Sequence, residues 1–294
     1  MGLLQDSMIR KMTASGYSVK TIRSYTSCVR ALAVYYAKSP LDVTKQEIED
    51  FIYFLRSQKK SESTVHIYYE AIKYFFRSFE LFERIPRISF PRINKKLPAI
   101  LSQQETIELL CNCRSLKFKT LFSLIYSAGL RISEATNLRL EDIDFVRKTI
   151  FIRNGKNKKD RYTLLANETI YLLRSYFAVY HPQCYVFYST DVMRPISTSC
   201  AQRHFRKLLQ DNHINSSIHV HTLRHCFATH LLENGTSIFH IMHLLGHSNI
   251  QTTMIYLHMQ SIESLNIKSP IDLCHLNYQP GRSSSPQDLF EETA

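Results

Sequence analysis

Through the first ninety residues, apolar side chains return every third or fourth position, the period of a helix with one buried stripe. Behind Ser18, a residue suited to capping a helix start, Val19, Ile22, Val29, Leu32, Ala33 and Tyr36 fall on one such stripe. Thr44-Lys45-Gln46-Glu47 is a capping box, in which the threonine oxygen and the glutamate reach the first free backbone N–H groups. Ile48, Phe51, Ile52 and Leu55 follow it at helical spacing, and a fourth helix is expected from about residues 61–64 to Phe82. Residues 1–85 are therefore expected to form a helical domain. Residues 86–99 read as a basic linker. The stretch from Arg84 to Ala99 holds three prolines and five basic side chains, and proline disfavours helix both at itself and at the residue before it.

A second capping box, Ser102-Gln103-Gln104-Glu105, opens a domain placed at residues 100–268. Helices are expected to about Leu138. Residues 149–153 and 161–165 then read as two strands around a basic turn from Asn154 to Asp160. From Glu168 the pattern is helical again, with Gly235 and Gly246 as breaks. Residues 269–294, with Pro280-Gly281-Arg282-Ser283-Ser284-Ser285-Pro286, are expected to be a disordered tail. The fold class that follows is mainly α with a small β-hairpin or sheet, an α+β chain.

Composition adds a partner. The 294 residues carry a formal net charge of +12, and the first 99 supply +8 of it. An excess of that size suits a polyanion such as double-stranded DNA, whose counterions are released on binding, although a soluble surface would also account for it. The seven cysteines are odd in number and form no C-x-x-C pair, no apolar run approaches a membrane span, and the first residues lack the features of a signal peptide. Reduced thiols in the cytoplasm, with no membrane partner, are the expectation.

The chemistry concentrates in a few places. Arg131 lies in Ala128-Gly129-Leu130-Arg131-Ile132-Ser133-Glu134, Lys156 in Asn154-Gly155-Lys156, His221 and Arg224 in His221-Thr222-Leu223-Arg224-His225, and His247 nine residues before Tyr256. A tyrosine hydroxyl, with a pKa of about 10, attacks only if other groups neutralise its target and handle protons. Guanidinium groups are permanently charged and donate paired hydrogen bonds, so Arg131 and Arg224 suit an electrostatic clamp on a phosphodiester. His225 and His230 read as structural. His240, His243 and His247 at helical spacing, with Cys226 and His219 near in sequence, offer a metal-binding alternative, but no His-Glu-x-x-His or paired cysteine supports it, and no metal or other cofactor is expected.

The ordered series Arg, Lys, His-x-x-Arg, Gly-His, Tyr resembles the tyrosine recombinase, or phage integrase, family in its compact bacterial form, over roughly residues 10–265. That resemblance implies a helical core-binding domain followed by a mixed catalytic domain, together forming a C-shaped clamp on a duplex. It implies that Tyr256 attacks the DNA to form a 3′-phosphotyrosyl bond, which conserves bond energy so that rejoining needs no ATP. It gives His221 a part in handling the tyrosine proton, Lys156 the protonation of the leaving 5′ oxygen, with Lys158 and Lys159 as rivals, and His247 a hydrogen bond to the phosphate. It further implies a homotetramer on two sites, or a heterotetramer with a paralogue, with residues 257–267 docking on a neighbour. A non-catalytic DNA-binding accessory protein and a type IB topoisomerase are the alternatives.

Overall fold

A computed structural model describes residues 2–91, 98–153, 160–214 and 217–257. The expected turn residues 154–159, the docking segment beyond Leu257 and the tail at 269–294 lie outside those residues. The chain divides into two compact units, Met1–Lys96 and Leu97–Ala294.

In the first unit, α1 (Gly2–Ala14), α2 (Val19–Tyr36), α3 (Lys45–Ser57) and α4 (Glu62–Ser78) pack their apolar stripes together. Met8, Leu32, Ile48, Phe51, Ile52, Phe75 and Phe76 form its dry centre. The caps expected from sequence are made. Ser18 Oγ accepts from Thr21 N–H at 3.1 Å, and Thr44 and Glu47 satisfy each other's backbone N–H groups. The fourth helix stops at Ser78 instead of continuing to Phe82, because Glu80 takes a left-handed conformation, φ +63, and Leu81 N–H turns back to Phe76 O at 2.9 Å. Phe82–Arg84 is a separate 3-10 turn. Residues 85–91 have no regular secondary structure, yet they pack on this unit. Tyr69 Oη donates to Pro86 O at 2.7 Å and Phe90 meets the His66 ring edge-on.

The second unit is built around α6 (Leu116–Ala128), which is buried on most of its faces. α5 (Gln103–Cys111), α7 (Ile132–Thr136), α8 (Asn167–Tyr180), α9 (Thr198–Asp211) and α10 (Val220–Glu233) pack against it. Leu121, Phe122, Ile125, Leu130, Ile150, Leu173, Phe187, Phe205 and Leu223 fill the space between them. The two expected strands are present as β2 (Thr149–Ile152) and β3 (Arg161–Leu164), paired antiparallel with Ile150 opposite Thr163. A further strand, β1 (Ile143–Asp144), pairs with β2, so the sheet has order β1-β2-β3 among the described residues. The stretch after Glu168 is less uniformly helical than expected. Residues 181–197 form an irregular connection held by bridges Arg139–Tyr185 and Tyr188–Pro195. α11 (Ile238–Leu245) lies on β3 and α10, and α12 (Gln251–Met254) on α11. No helix among the described residues is long and apolar enough to cross a membrane.

Gly129 ends α6 with φ +62, and a Cβ there would stand 2.4 Å from Phe227 Cδ1. The turn it permits carries the chain from α6 into Arg131 and α7. Gly129→Ala combines a disfavoured backbone conformation with overpacking against a buried ring, so it should destabilise the second unit by about 2–3 kcal/mol, read as a lowered urea midpoint.

Candidate active site

Glu134, in the first turn of α7, has its side chain 7% exposed and its carboxylate at the centre of three guanidinium groups. Arg131, just ahead of α7, gives its backbone N–H to Oε2 at 2.8 Å and Nη1 to Oε1 at 2.6 Å. Arg161, the first residue of β3, forks onto both oxygens at 2.9 and 2.7 Å and donates Nε to Leu244 O at 2.8 Å. Arg224 on α10 stands 3.6 Å from Oε2. Burial pushes the Glu134 carboxyl up, but hydrogen bonds and charge from Arg161, with the backbone and charge of Arg131, outweigh it and bring the group down to about 2. Three positive charges therefore face one negative charge, leaving an excess for an anion.

Arg224 is 1% exposed. Two of its N–H donors go to backbone carbonyls at two helix ends, one on Nη1 to Gly129 O and one on Nη2 to Leu245 O, each at 2.6 Å. Both carbonyls are presented by glycine turns. Gly246 closes α11 with φ +63, and a Cβ on it would stand 2.7 Å from Arg161 Cδ, so only glycine lets this chain end lie on that side chain. Burial and the charge of Arg131 push Arg224 down to about 9, still protonated at neutral pH.

Arg131, His221, Arg224, His225 and His247 line one cavity of about 250 Å³. His221 is exposed to solvent. Desolvation in the cavity, followed by the charges of Arg224 and Arg131, pushes it below its usual value despite Glu134. His247 Nε2 stands 3.3 Å from Arg224 Nη2. Arginine has only donors, so this nitrogen accepts, and Nδ1 carries the proton it gives to Thr253 Oγ1 at 2.9 Å. That bond anchors α12 on the cavity wall. Among the described residues, no three His, Cys, Asp or Glu side chains stand close enough together to hold a metal ion.

Tyr256 follows α12, two residues past Met254, and does not lie on the helix itself. Its ring is 1% exposed, packed among Phe227, Ile241 and Leu245. Burial raises its hydroxyl to about 12, with Arg224 and Arg131 pulling the other way. The hydroxyl meets His225 Nδ1 at 3.1 Å. His225, read from sequence as structural, thus joins Tyr256 to the cavity wall. His230 has a structural setting, but across the fold: it meets Tyr126 Oη at 2.9 Å and Leu101 O at 3.0 Å. Lys156 lies outside the described residues.

Local sequence pattern marks neither Glu134 nor Arg161 as part of the site. A signal was available in β3, where Arg161 and Thr163 take the inward register and Tyr162 the exposed one. Charge at a buried strand position demands a buried partner.

Residues 94–262 match the phage integrase family, and residues 4–81 match its N-terminal SAM-like domain. The chain belongs to the phage integrase family of tyrosine recombinases. A tyrosine recombinase of Thermosipho africanus is 33% identical over 85% of this chain and 92% of its own length. XerA of Pyrococcus horikoshii is 29% identical, covering 82% of this chain and 84% of the relative. The crystal structure of an XerA recombinase superposes with a TM-score of 0.53 at 28% identity, covering 90% of this tyrosine recombinase and 95% of that chain. A lambda integrase fragment in a dimer bound to a core site gives 0.71 at 18% identity over 87% and 94%, a likeness of fold.

Replacing Glu134 with glutamine keeps its volume and removes the charge that compensates the arginines. The carboxyl is depressed in the folded state, so its contribution is complete above its ordinary value near 4.5 and is lost as pH falls toward 2. Glu134→Gln should cost roughly 3 kcal/mol at pH 7, and chemical denaturation across pH should show the gap from wild type closing below about pH 4.

Proposed function

We propose that this tyrosine recombinase is site-specific, cleaving and rejoining strands of double-stranded DNA through a 3′-phosphotyrosyl intermediate on Tyr256, in integration, excision or dimer resolution. The observation that carries this reading is the single cavity into which Arg131, His221, Arg224 and His247 face, with Tyr256 tied to its wall through His225. A phosphodiester brings one negative charge, and charge builds on its non-bridging oxygens as a nucleophile adds to phosphorus. The uncompensated guanidinium charge beside Glu134 is suited to that change because the donors are already in place and need no reorganisation. Arg224, brought down to about 9, still carries its charge at neutral pH.

The phenol is harder to activate. Raised to about 12 by burial, it is protonated at neutral pH and must lose its proton as it attacks. The positive cluster pulls toward ionisation, and a neighbouring imidazole can take the proton. Family resemblance gives that part to His221, which burial and then the charges of Arg224 and Arg131 hold below its usual value. His247 has a hydrogen on Nδ1 and an accepting Nε2, so hydrogen-bonding a phosphate oxygen requires a proton at Nε2 or a turn away from Arg224. Lys156, by family resemblance, protonates the leaving 5′ oxygen.

The +8 of the first 99 residues supports a role for the helical unit in gripping the duplex backbone. Family resemblance supports assembly as a tetramer on two sites. The described cysteines are free thiols, which supports work in the cytoplasm.

A nicked suicide substrate carrying the cognate site traps cleavage, because the strand beyond the nick diffuses away before it can rejoin. Wild type should accumulate a denaturation-resistant protein–DNA adduct and Tyr256→Phe none, while both bind the site equally. Binding without an adduct by wild type would make the chain an accessory protein, and relaxation of plasmids regardless of sequence would make it a topoisomerase. The affinity should also fall steeply, on the order of 10³-fold between 50 and 200 mM salt, in an anisotropy titration.

A further inference from the structure

The resemblance that points to Tyr256 points to His221 for its proton, but the imidazole in contact with the hydroxyl is that of His225. Nδ1 of His225 lies 3.1 Å from Tyr256 Oη, and the two ring centroids are 5.7 Å apart. His221 stands one helical turn away on α10, its ring nearly perpendicular to His225 at 4.7 Å. His221, Arg224 and His225 occupy positions i, i+3 and i+4, so one face of α10 carries both a clamp residue and the partner of the nucleophile.

Three further observations bear on what His225 does. α12 spans four residues, too few to hold its own position by helical hydrogen bonding. Side-chain contacts that hold this segment include Thr253 with His247 and Tyr256 with His225. The ring of Tyr256 is held by apolar packing, but packing alone does not orient an O–H bond. Burial, then the nearby His221 and Arg224, push the His225 imidazole down to about 4, so it is neutral at pH 7. A neutral imidazole has one accepting nitrogen, and a protonated phenol has one hydrogen to give.

We propose that His225 is the positioning residue of the nucleophile: its Nδ1 accepts the single hydrogen of the Tyr256 hydroxyl and leaves the lone pairs of that oxygen available to phosphorus. The proposal rests on Tyr256 being the nucleophile. In this arrangement Nε2 of His225 carries the ring proton. The bond couples the attacking oxygen to the helix that bears Arg224, so nucleophile and clamp move as one body. A shift of the oxygen by about 1 Å is enough to cost on the order of 10²-fold in rate.

The test compares His225→Leu, His225→Asn and His225→Gln with wild type on the nicked suicide substrate. It measures the rate of adduct formation at saturating protein, the DNA affinity and the melting temperature. Asparagine places its Oδ1 near the position of Nδ1, whereas glutamine carries its acceptor one bond further. His225→Leu should slow adduct formation on the order of 10²-fold, with affinity within about threefold of wild type, and His225→Asn should recover to within about tenfold of wild type. His225→Gln should remain close to His225→Leu. Cleavage by His225→Leu at the wild-type rate would overturn the proposal, as would equal defects in the asparagine and glutamine variants. Parallel losses of melting temperature, affinity and rate in all three would make His225 a packing residue and overturn it as well. No adduct from wild type would instead remove the underlying role of Tyr256, an outcome distinct from any difference among the variants.

Discussion

One buried carboxylate organises the catalytic unit. Glu134 receives hydrogen bonds from Arg131 and both arms of Arg161, and lies 3.6 Å from Arg224. Without it, guanidinium groups drawn from an α7 start, a strand and a helix would repel one another in a poorly solvated interior, where removing a partner from a buried ion cluster is costly. With it, they gather in one place and still exceed it in charge. The arrangement is stable enough to fold and positive enough to attract a phosphate. The charge arithmetic thus links stability to function.

Backbone geometry does the rest of the positioning. Arg224 is deeply buried, and the carbonyls of Gly129 and Leu245 take two of its N–H donors at the ends of α6 and α11. Both ends depend on glycines in left-handed conformations with side-chain atoms pressed against their α-carbons. The signature Gly-x-Arg and Gly-His motifs therefore have a physical content: each glycine brings a helix end close to an arginine. α10 then presents His221, Arg224 and His225 along one face; the Tyr256–His225 bond ties the residues after α12 to it, and the Thr253–His247 bond holds α12 to the chain just past α11.

Local features were readable from the chain alone. The capping boxes at Thr44 and Ser102 and the paired strands β2 and β3 depend on residues close in sequence, and each appears where its pattern put it. The series from Arg131 to Tyr256 was readable as order and spacing, and the structure brings Arg131, His221, Arg224 and His247 to one cavity. Features decided by distant contacts were not readable. Glu134 and Arg161 are 27 positions apart, and either alone looks like a surface charge. His225 meets Tyr256 across 31 positions, through packing that no helical period reports. β1 is two residues long, too short to display a period. The apolar run Phe79, Leu81, Phe82 continued the helical period past Ser78, although the left-handed turn at Glu80 ends the helix without glycine or proline to mark it.

Strand cleavage by the proposed route requires the arginines to act through the charge of the phosphate. That is tested most directly by replacing one non-bridging oxygen of the scissile phosphate with a methyl group, which makes the group neutral while leaving phosphorus open to attack. On the ordinary phosphodiester, Arg131→Ala should slow strand cleavage on the order of 10²- to 10³-fold. On the neutral substrate the gap between variant and wild type should nearly close, because there is little charge left to stabilise. An equal defect on both substrates would contradict the claim and would mean that Arg131 shapes the site without neutralising its ligand.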